Sequence, residues 1–243
     1  MILVVDIGNT KIKLGIFEDE KLIYETSFIT FEDFQSNAHL LNTYSVHSAA
    51  ISSVVPAVTD LMMKEIKNLY AVRAFTVTHN NCGIKLNVEK QETIGADRLC
   101  NIAAAIQNYA TPIIIVDFGT ANTYDVIDVN KTFMGGAISP GIETSAQYLI
   151  EKAALLDKTK FDFPDKAIGK TTETNIQSGI MFGAIDQING MINRIQEETQ
   201  HKNHSIILTG GFGKLLSPKL NITHILDEHL TLKGLLYIHN LNA

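Results

Sequence analysis

The sequence contains little cysteine. Its 243 residues include only Cys82 and Cys100, which are too few for a disulfide framework and lack the spacing of a zinc site. We therefore expect two free thiols in a reducing compartment. The chain also lacks a stretch rich in glycine, proline or serine that could act as a flexible tether.

Positive charge and long apolar runs are scarce as well. The chain has 20 Lys plus Arg against 26 Asp plus Glu, a formal charge of −6. Without a basic cluster it does not suit nucleic-acid binding through the phosphate backbone or an anionic membrane surface. No run approaches the roughly 18 to 20 apolar residues that span a bilayer, and Met1–Val5 leads into Asp6 without the features of a signal peptide. We expect a soluble, cytoplasmic protein with no nucleic-acid or membrane partner.

The composition is otherwise that of a folded protein. Hydrophobic residues make up 45% of the chain and charged residues 19%, values that exclude a disordered chain. A chain of this length is expected to form one large domain or two lobes of roughly 100 to 130 residues each.

An internal repeat favours two lobes. Each half opens with a four-residue apolar run, Ile2–Val5 or Ile113–Val116, followed by an acidic turn and a segment of alternating apolar and polar residues. Such alternation predicts a strand. We expect an α/β fold with lobes at residues 1–110 and 111–243, packed face to face around a cleft because no flexible linker separates them.

Helical spacing of apolar residues predicts helices in both halves. The predicted segments are Val58–Tyr70, Ala96–Tyr109, Ile142–Leu156, Thr174–Gln200 and Leu230–Leu241. The last of these falls in the second predicted lobe. The apolar face of the third could form a subunit interface.

The turns after the two apolar runs carry chemistry suited to phosphate and metal. They read Asp6-Ile7-Gly8-Asn9-Thr10 and Asp117-Phe118-Gly119-Thr120. A carboxylate at a strand end is a hard oxygen ligand for Mg²⁺ or for water bound to it, and the glycine exposes backbone N–H groups to phosphate oxygens. A third run, Ile206–Leu208, leads into Thr209–Gly213. Three ordinary turns are the alternative, but recurrence after apolar strands favours a phosphate site.

Three segments resemble motifs of the superfamily that contains actin, Hsp70 and sugar kinases. Asp6–Lys13 and Asp117–Thr123 resemble its first and second phosphate motifs, and Thr209–Gly213 resembles its adenosine motif. The resemblance implies two ribonuclease-H-like lobes that clamp ATP. Sugar kinases usually carry a second glycine where this chain has Asn9.

Further motifs are similar to those of type III pantothenate kinases. They are Asn9, Gly95-Ala96-Asp97-Arg98, Gly135–Gly141, Gly169–Thr172 and Gln177–Gly179. This resemblance implies ATP-dependent phosphorylation of pantothenate to 4′-phosphopantothenate, the first step of coenzyme A biosynthesis. It also implies Mg²⁺, a monovalent cation (K⁺ or NH₄⁺) and a homodimer.

The same resemblance places the nucleotide beside the two acidic turns. Asp117 would bind the monovalent cation, and Asp6 would hold Mg²⁺ directly or through water. The implied nucleotide-binding residues are Asp6, Gly8, Asn9, Thr10, Lys11, Lys13 and Thr120. For Lys11 and Lys13, the alternative is a solvated strand face.

The expected proton acceptor is Asp97. Removing the proton of a weakly nucleophilic alcohol is typically worth about 10²–10⁴ in rate, and the start of a helix favours an ionised aspartate. Arg98 offers a planar fork to the carboxylate of pantothenate. The alternative is that Asp97 caps a helix and Arg98 pairs with a surface acid.

The implied substrate-binding residues are Gly95, Ala96, Asp97, Arg98 and Thr172. Thr171 is an alternative to Thr172, and either could be the N-cap of the following helix. Many family members have an aromatic residue, usually tyrosine, shortly before the Gly-Ala-Asp-Arg stretch, whereas residues 86–94 contain none. The corresponding wall of the pocket must come from elsewhere.

Three other activities are compatible with parts of the sequence. A kinase of the same fold could act on another small alcohol such as a sugar, although sugar kinases usually carry extra substrate elements. A non-catalytic regulator would be expected to lose an acid, whereas Asp6, Asp97 and Asp117 are all present. A phosphatase of the exopolyphosphatase type should lack Gly95–Arg98.

Overall fold

The computed structural model describes residues 1–152 and 162–243. Residue contacts divide the chain into two units. Unit 1 consists of Met1–Tyr109, Lys131–Met134 and His229–Ala243, and unit 2 consists of Ala110–Asn130 and Gly135–Glu228. No helix in the described ranges is long and apolar enough to cross a membrane.

Unit 1 contains a five-stranded sheet. Its strands are β1 (Ile2–Ile7), β2 (Ile12–Glu18), β3 (Lys21–Phe28), β4 (Ser48–Ser53) and β5 (Phe75–Thr76). They lie in the order β3-β2-β1-β4-β5, with β1 antiparallel to β2 and parallel to β4. This register pairs Asp6 of β1 with Lys13 on one side and Ser52 on the other.

Helices pack on both faces of this sheet. They are α1 (Phe31–Asn37), α2 (Pro56–Tyr70), α3 (Ala96–Asn108) and α7 (Leu230–Leu241), with 3₁₀ turns at Ala38–Thr43 and Gln91–Thr93. Leu3 and Val5 of β1 pack with residues of α1 and α2, whereas Val4 packs with residues of α3 and α7. Because strand side chains alternate between faces, Asp6 lies on the same face as Val4 and α3.

Helix α7 packs tightly on α3. A Cβ atom at Gly234 would overlap the backbone of Cys100, so the two helices approach more closely than a larger residue would allow. The sequence predicts this helix in the second lobe, whereas the contacts assign it to unit 1. The reason is the buried apolar face of α7, which packs against apolar residues of α3. This face consists of Leu232, Leu235, Leu236 and Ile238.

Unit 2 repeats the arrangement of unit 1. Its strands are β7 (Ile113–Phe118), β8 (Ala121–Ile127), β9 (Thr132–Pro140, which begins in unit 1), β10 (Ser205–Gly210) and β11 (Ile225–Leu226). They lie in the order β11-β10-β7-β8-β9, with β7 antiparallel to β8 and parallel to β10. The short strand β6 (Lys85–Leu86) pairs with Thr132 and Phe133 of β9. The expected α/β class with two sheets is therefore confirmed.

The helices of unit 2 are α4 (Ile142–Lys152), α5 (Thr172–Glu198) and α6 (Gly213–Leu216), with a 3₁₀ turn at Ser217–Lys219. Ile188 and Ile192 of α5 pack in one buried cluster with Ile114 and Val116 of β7. The sequence predicts a helix over Ile142–Leu156, and the part beyond Lys152 lies outside the described residues.

Candidate active site

The carboxylate of Asp6 is oriented by a buried serine. Ser52 is fully buried on β4, and its hydroxyl donates a hydrogen bond of 2.8 Å to Asp6 Oδ1. Asp6 itself is half-buried near the end of β1. Both residues end apolar strands that run parallel, so the local sequence brings them to the same sheet edge. Sequence reasoning identified Asp6 and missed Ser52.

The turn between β1 and β2 presents the remaining residues of the first acidic motif. The Gly8 N–H donates to the carbonyl of Lys11 at 3.0 Å and closes the turn. Asn9, Thr10 and Lys11 are exposed on it. These three residues therefore lie at the surface at the end of β1.

Lys13 lies on β2 directly opposite Asp6. Its side chain is 21% exposed, and Nζ lies 2.9 Å from Oε1 of Glu25 on β3. The alternative of a solvated strand face therefore does not describe Lys13, because its ammonium is held beside the sheet. A cation at this position faces the same region as the Asp6 carboxylate.

Asp97 and Arg98 begin α3. Gly95 is the N-cap, and Oδ1 of Asp97 accepts a hydrogen bond of 2.8 Å from the Arg98 backbone N–H. The carboxylate thus lies in the first helical turn, where the exposed N–H groups favour negative charge. Asp97 is therefore not the N-cap residue of α3, because Gly95 occupies that position.

The guanidinium of Arg98 lies over an aromatic ring. Its Cζ is 5.6 Å from the centroid of Phe133, which is 1% exposed on β9. A cation over a ring face is attracted to it, which favours this position of the Arg98 side chain. Residues 86–94 lack the aromatic residue of the family pattern, and Phe133 is an aromatic side chain that the sequence reasoning did not connect with Arg98.

The buried thiol of Cys100 lies on the side of the sheet that Asp6 faces. Cys100 lies one turn after Ala96 on α3 and is fully buried. Burial raises the pKa of its thiol well above the ordinary value, the charges of Asp6 and Asp97 raise it further, and a hydrogen bond with Ser52 opposes them. A neutral thiol therefore lies within electrostatic range of both carboxylates. Both predicted site residues belong to the side of the sheet that α3 covers.

The second acidic turn is shaped by a close backbone approach in unit 2. Asp117 lies near the end of β7, paired with the buried Thr209 of β10. Gly210 follows with a φ of +89°, and a Cβ atom there would overlap Oδ1 of Asp117 and the backbone of Phe118. Only glycine fits this conformation and this contact without strain. The Thr209–Gly213 motif therefore packs directly against the Asp117 carboxylate.

The carbonyl of Thr120 connects the same turn to α4. It accepts hydrogen bonds from the Gly141 N–H at 3.0 Å and from the Thr144 hydroxyl at 2.7 Å. The Thr120 side chain is exposed, and Thr120 follows Asp117 by three residues in the sequence. The start of α4 thereby fixes the backbone of the turn.

The first residues of α5 separate the roles of two threonines. Thr171 is the N-cap, and its Oγ1 accepts a hydrogen bond of 3.2 Å from the Thr174 N–H in a reciprocal capping arrangement. Thr172 is the first residue of the helix and is exposed. The structure therefore assigns the cap to Thr171 and leaves Thr172 at the surface.

The chain is similar in sequence to a family of kinases over most of its length. The sequence model of the family described as type III pantothenate kinase matches residues 2–194. A type III pantothenate kinase of Sulfurihydrogenibium sp. is 38% identical over 250 residues, covering 98% of this chain and 99% of the relative. One from Finegoldia magna is 38% identical over 256 residues, covering 100% and 98%.

Solved structures show the same fold at low sequence identity. A protein described as a Baf family transcriptional activator from Campylobacter jejuni has a TM-score of 0.65 at 19% identity, covering 99% of this chain and 98% of that one. A 2-dehydro-3-deoxygalactonokinase protein from Sinorhizobium meliloti has a TM-score of 0.61 at 12% identity, covering 99% and 98%. These likenesses concern the fold alone. The sequence matches, which extend over nearly the whole chain, show that it belongs to the type III pantothenate kinase family.

Proposed function

We propose that this protein transfers the γ-phosphoryl group of ATP to the primary alcohol of pantothenate, producing 4′-phosphopantothenate and ADP. The observation that carries the proposal is the placement of Asp6, held by Ser52, on the sheet face covered by α3, whose first turn contains Asp97, in a chain of the pantothenate kinase family. One carboxylate serves the phosphates and the other serves the attacking alcohol.

Asp97 is the proposed proton acceptor. Its carboxylate is held in the first turn of α3, where Oδ1 accepts a hydrogen bond from the Arg98 N–H. The proton of the alcohol passes to an oxygen of Asp97 as the oxygen of the alcohol attacks the γ-phosphorus. ADP leaves from the opposite side of that phosphorus.

Arg98 is proposed to bind the carboxylate of pantothenate. Its guanidinium lies over the Phe133 ring, and a guanidinium can offer two N–H donors in a planar fork to a carboxylate. Gly95 and Ala96 would contact the same substrate through the backbone at the helix start, and Thr172 would add a hydroxyl.

The phosphates of ATP are proposed to contact the turn after β1. Gly8 has no side chain to obstruct a phosphate, and the backbone N–H groups of Asn9 and Thr10 suit phosphate oxygens. Lys11 and Lys13 supply positive charge, and the Thr120 hydroxyl in unit 2 is a further proposed nucleotide contact. Bound Mg²⁺ would offset the charge of the phosphates.

The carboxylates of Asp6 and Asp117 offer the oxygen ligands that hard cations such as Mg²⁺ prefer. Among the described residues, no group of three or more His, Cys, Asp or Glu side chains could enclose a metal ion. Mg²⁺ usually keeps several waters and takes one or two carboxylates together with substrate phosphates. Asp6 is therefore the proposed Mg²⁺ residue, directly or through water, and Asp117 is the proposed ligand of K⁺ or NH₄⁺.

We further propose a cytoplasmic homodimer in which each chain has two ribonuclease-H-like lobes. Exposed apolar side chains on β9 and α4 support a subunit interface in unit 2, and they are Ile138, Tyr148 and Leu149. Light scattering on the purified protein measures its subunit number.

The decisive experiment measures ADP release with ATP and Mg²⁺, with and without pantothenate and potassium. Turnover that requires both additions supports the reaction and the cation together. Turnover with a sugar in place of pantothenate would favour a sugar kinase, and phosphate release without any acceptor would favour a phosphatase. A folded protein without turnover on any of these would favour the regulator and refute the proposal.

A further inference from the structure

Glu25 on β3 contacts two basic side chains. Its Oε1 lies 2.9 Å from Lys13 Nζ, and its Oε2 lies 2.8 Å from Nδ1 of His229, the residue before α7. The side chains of Lys13 and Glu25 are only 21% and 28% exposed. None of the activities described above uses Glu25 or His229, which the sequence alone did not single out.

The sheet explains how Glu25 reaches Lys13. Lys13 pairs with Ser27 on β3, and Glu25 lies two residues earlier on that strand, opposite Gly15. Diagonal neighbours of this kind are within reach of long side chains on one face of a sheet. Lys13 in turn pairs with Asp6 on β1. The three charged residues therefore follow one another across β1, β2 and β3.

The position of His229 is fixed by packing next to the same strands. Leu232, one turn into α7, is fully buried, and its side chain lies against Gly15 of β2. Because Gly15 pairs with Glu25, the start of α7 is anchored next to the Glu25 side chain. His229 thereby contacts Oε2 of Glu25, whereas Lys13 contacts Oε1.

We propose that Glu25 is a positioning residue that holds the Lys13 ammonium for the phosphates of the nucleotide, and that His229 fixes the Glu25 carboxylate. A lysine ammonium has three N–H donors on a flexible stem. Contact with Glu25 restricts the stem and so sets where the ammonium charge lies, on the strand position opposite Asp6. The proposal rests on the proposed function only in taking the ligand to be ATP.

The first measurement is MgATP affinity by calorimetry without pantothenate, which does not depend on turnover. Glu25→Gln keeps the shape and removes the charge, and we expect affinity to fall roughly tenfold, the effect of a partly buried charge-assisted contact. Lys13→Met should lower affinity at least as much, and Glu25→Gln should add nothing in that background. His229→Leu should give a smaller loss that also disappears in the Glu25→Gln background.

Steady-state kinetics separate positioning from general damage. Glu25→Gln should raise KM for ATP and leave KM for pantothenate unchanged, because Glu25 acts on the phosphates through Lys13. Glu18→Gln removes another carboxylate from the same pair of strands, at an exposed position, and is the matched control. Circular dichroism melting verifies folding of each variant.

The outcomes for the inference and for the function differ. Equal MgATP affinity in the wild type and Glu25→Gln, additive losses in the double variant, or no loss in Lys13→Met would each overturn the inference. Wild-type protein that binds MgATP but does not phosphorylate pantothenate would refute the proposed function, while the affinity series would still decide the role of Glu25.

Discussion

Replacing Asp97 with asparagine tests the proposed proton acceptor with little change in shape. The asparagine side-chain oxygen can still accept the 2.8 Å hydrogen bond from the Arg98 N–H. What is lost for folding is a negative charge in the first turn of α3, worth about 0.3–1 kcal/mol. We therefore expect a folded protein with ATP affinity close to that of the wild type.

Turnover should respond very differently. An amide cannot take the proton of the alcohol, so kcat should fall by about 10²–10⁴, which corresponds to about 3–5 kcal/mol in the barrier. ADP release measures kcat, and calorimetry measures ATP affinity in the same preparation. Asp60→Asn, at an exposed position on α2, is the control and should behave as the wild type.

Two results would refute this reasoning. A kcat of Asp97→Asn within about twofold of the wild type would show that Asp97 is not the base. A loss of ATP affinity as large as the loss of kcat would show that Asp97 acts on the nucleotide instead.

Three other variants test separate parts of the molecule. Asp117→Ala should reduce the stimulation of ADP release by potassium together with ATP use, and unchanged potassium dependence would contradict the cation role. Arg98→Lys should raise KM for pantothenate by about tenfold, because a planar fork becomes a point charge, and an unchanged KM would mean that Arg98 does not bind the carboxylate. Cys100→Ala should weaken the pH dependence of stability above about pH 8.5, where an unfolded thiol ionises. Since burial raises the pKa of the folded thiol, the unfolded chain binds fewer protons there and the native protein loses stability as pH rises. Urea unfolding at pH 7.5 and 9.5 measures this, and equal losses in the variant and the wild type would contradict it.

The parts of the site that follow one another in sequence were predictable. The apolar runs that end in Asp6 and Asp117 indicate strands with acidic turns, because alternation and glycine are local signals. The start of α3 near Gly95 was predictable for the same reason. The roles proposed for these residues stay predictions.

Contacts made by distant residues could not be predicted in this way. Ser52 reaches Asp6 only through parallel pairing of β1 with β4, and Phe133 reaches Arg98 from another strand. Assignment of α7 to unit 1 depends on packing at Gly234 against Cys100, which periodicity alone does not reveal. A helical pattern shows that a face is apolar and does not show which surface it covers.

Because α7 packs on α3, unit 1 can be completed only after the end of the chain has been translated. Unit 1 needs residues 229–243, which are translated after residues 110–228. Until then, the side of α3 that carries Cys100 lacks its partner helix. Domains usually finish folding in the order of synthesis, with the amino-terminal one first. In this chain, unit 2 has all of its residues before unit 1 does.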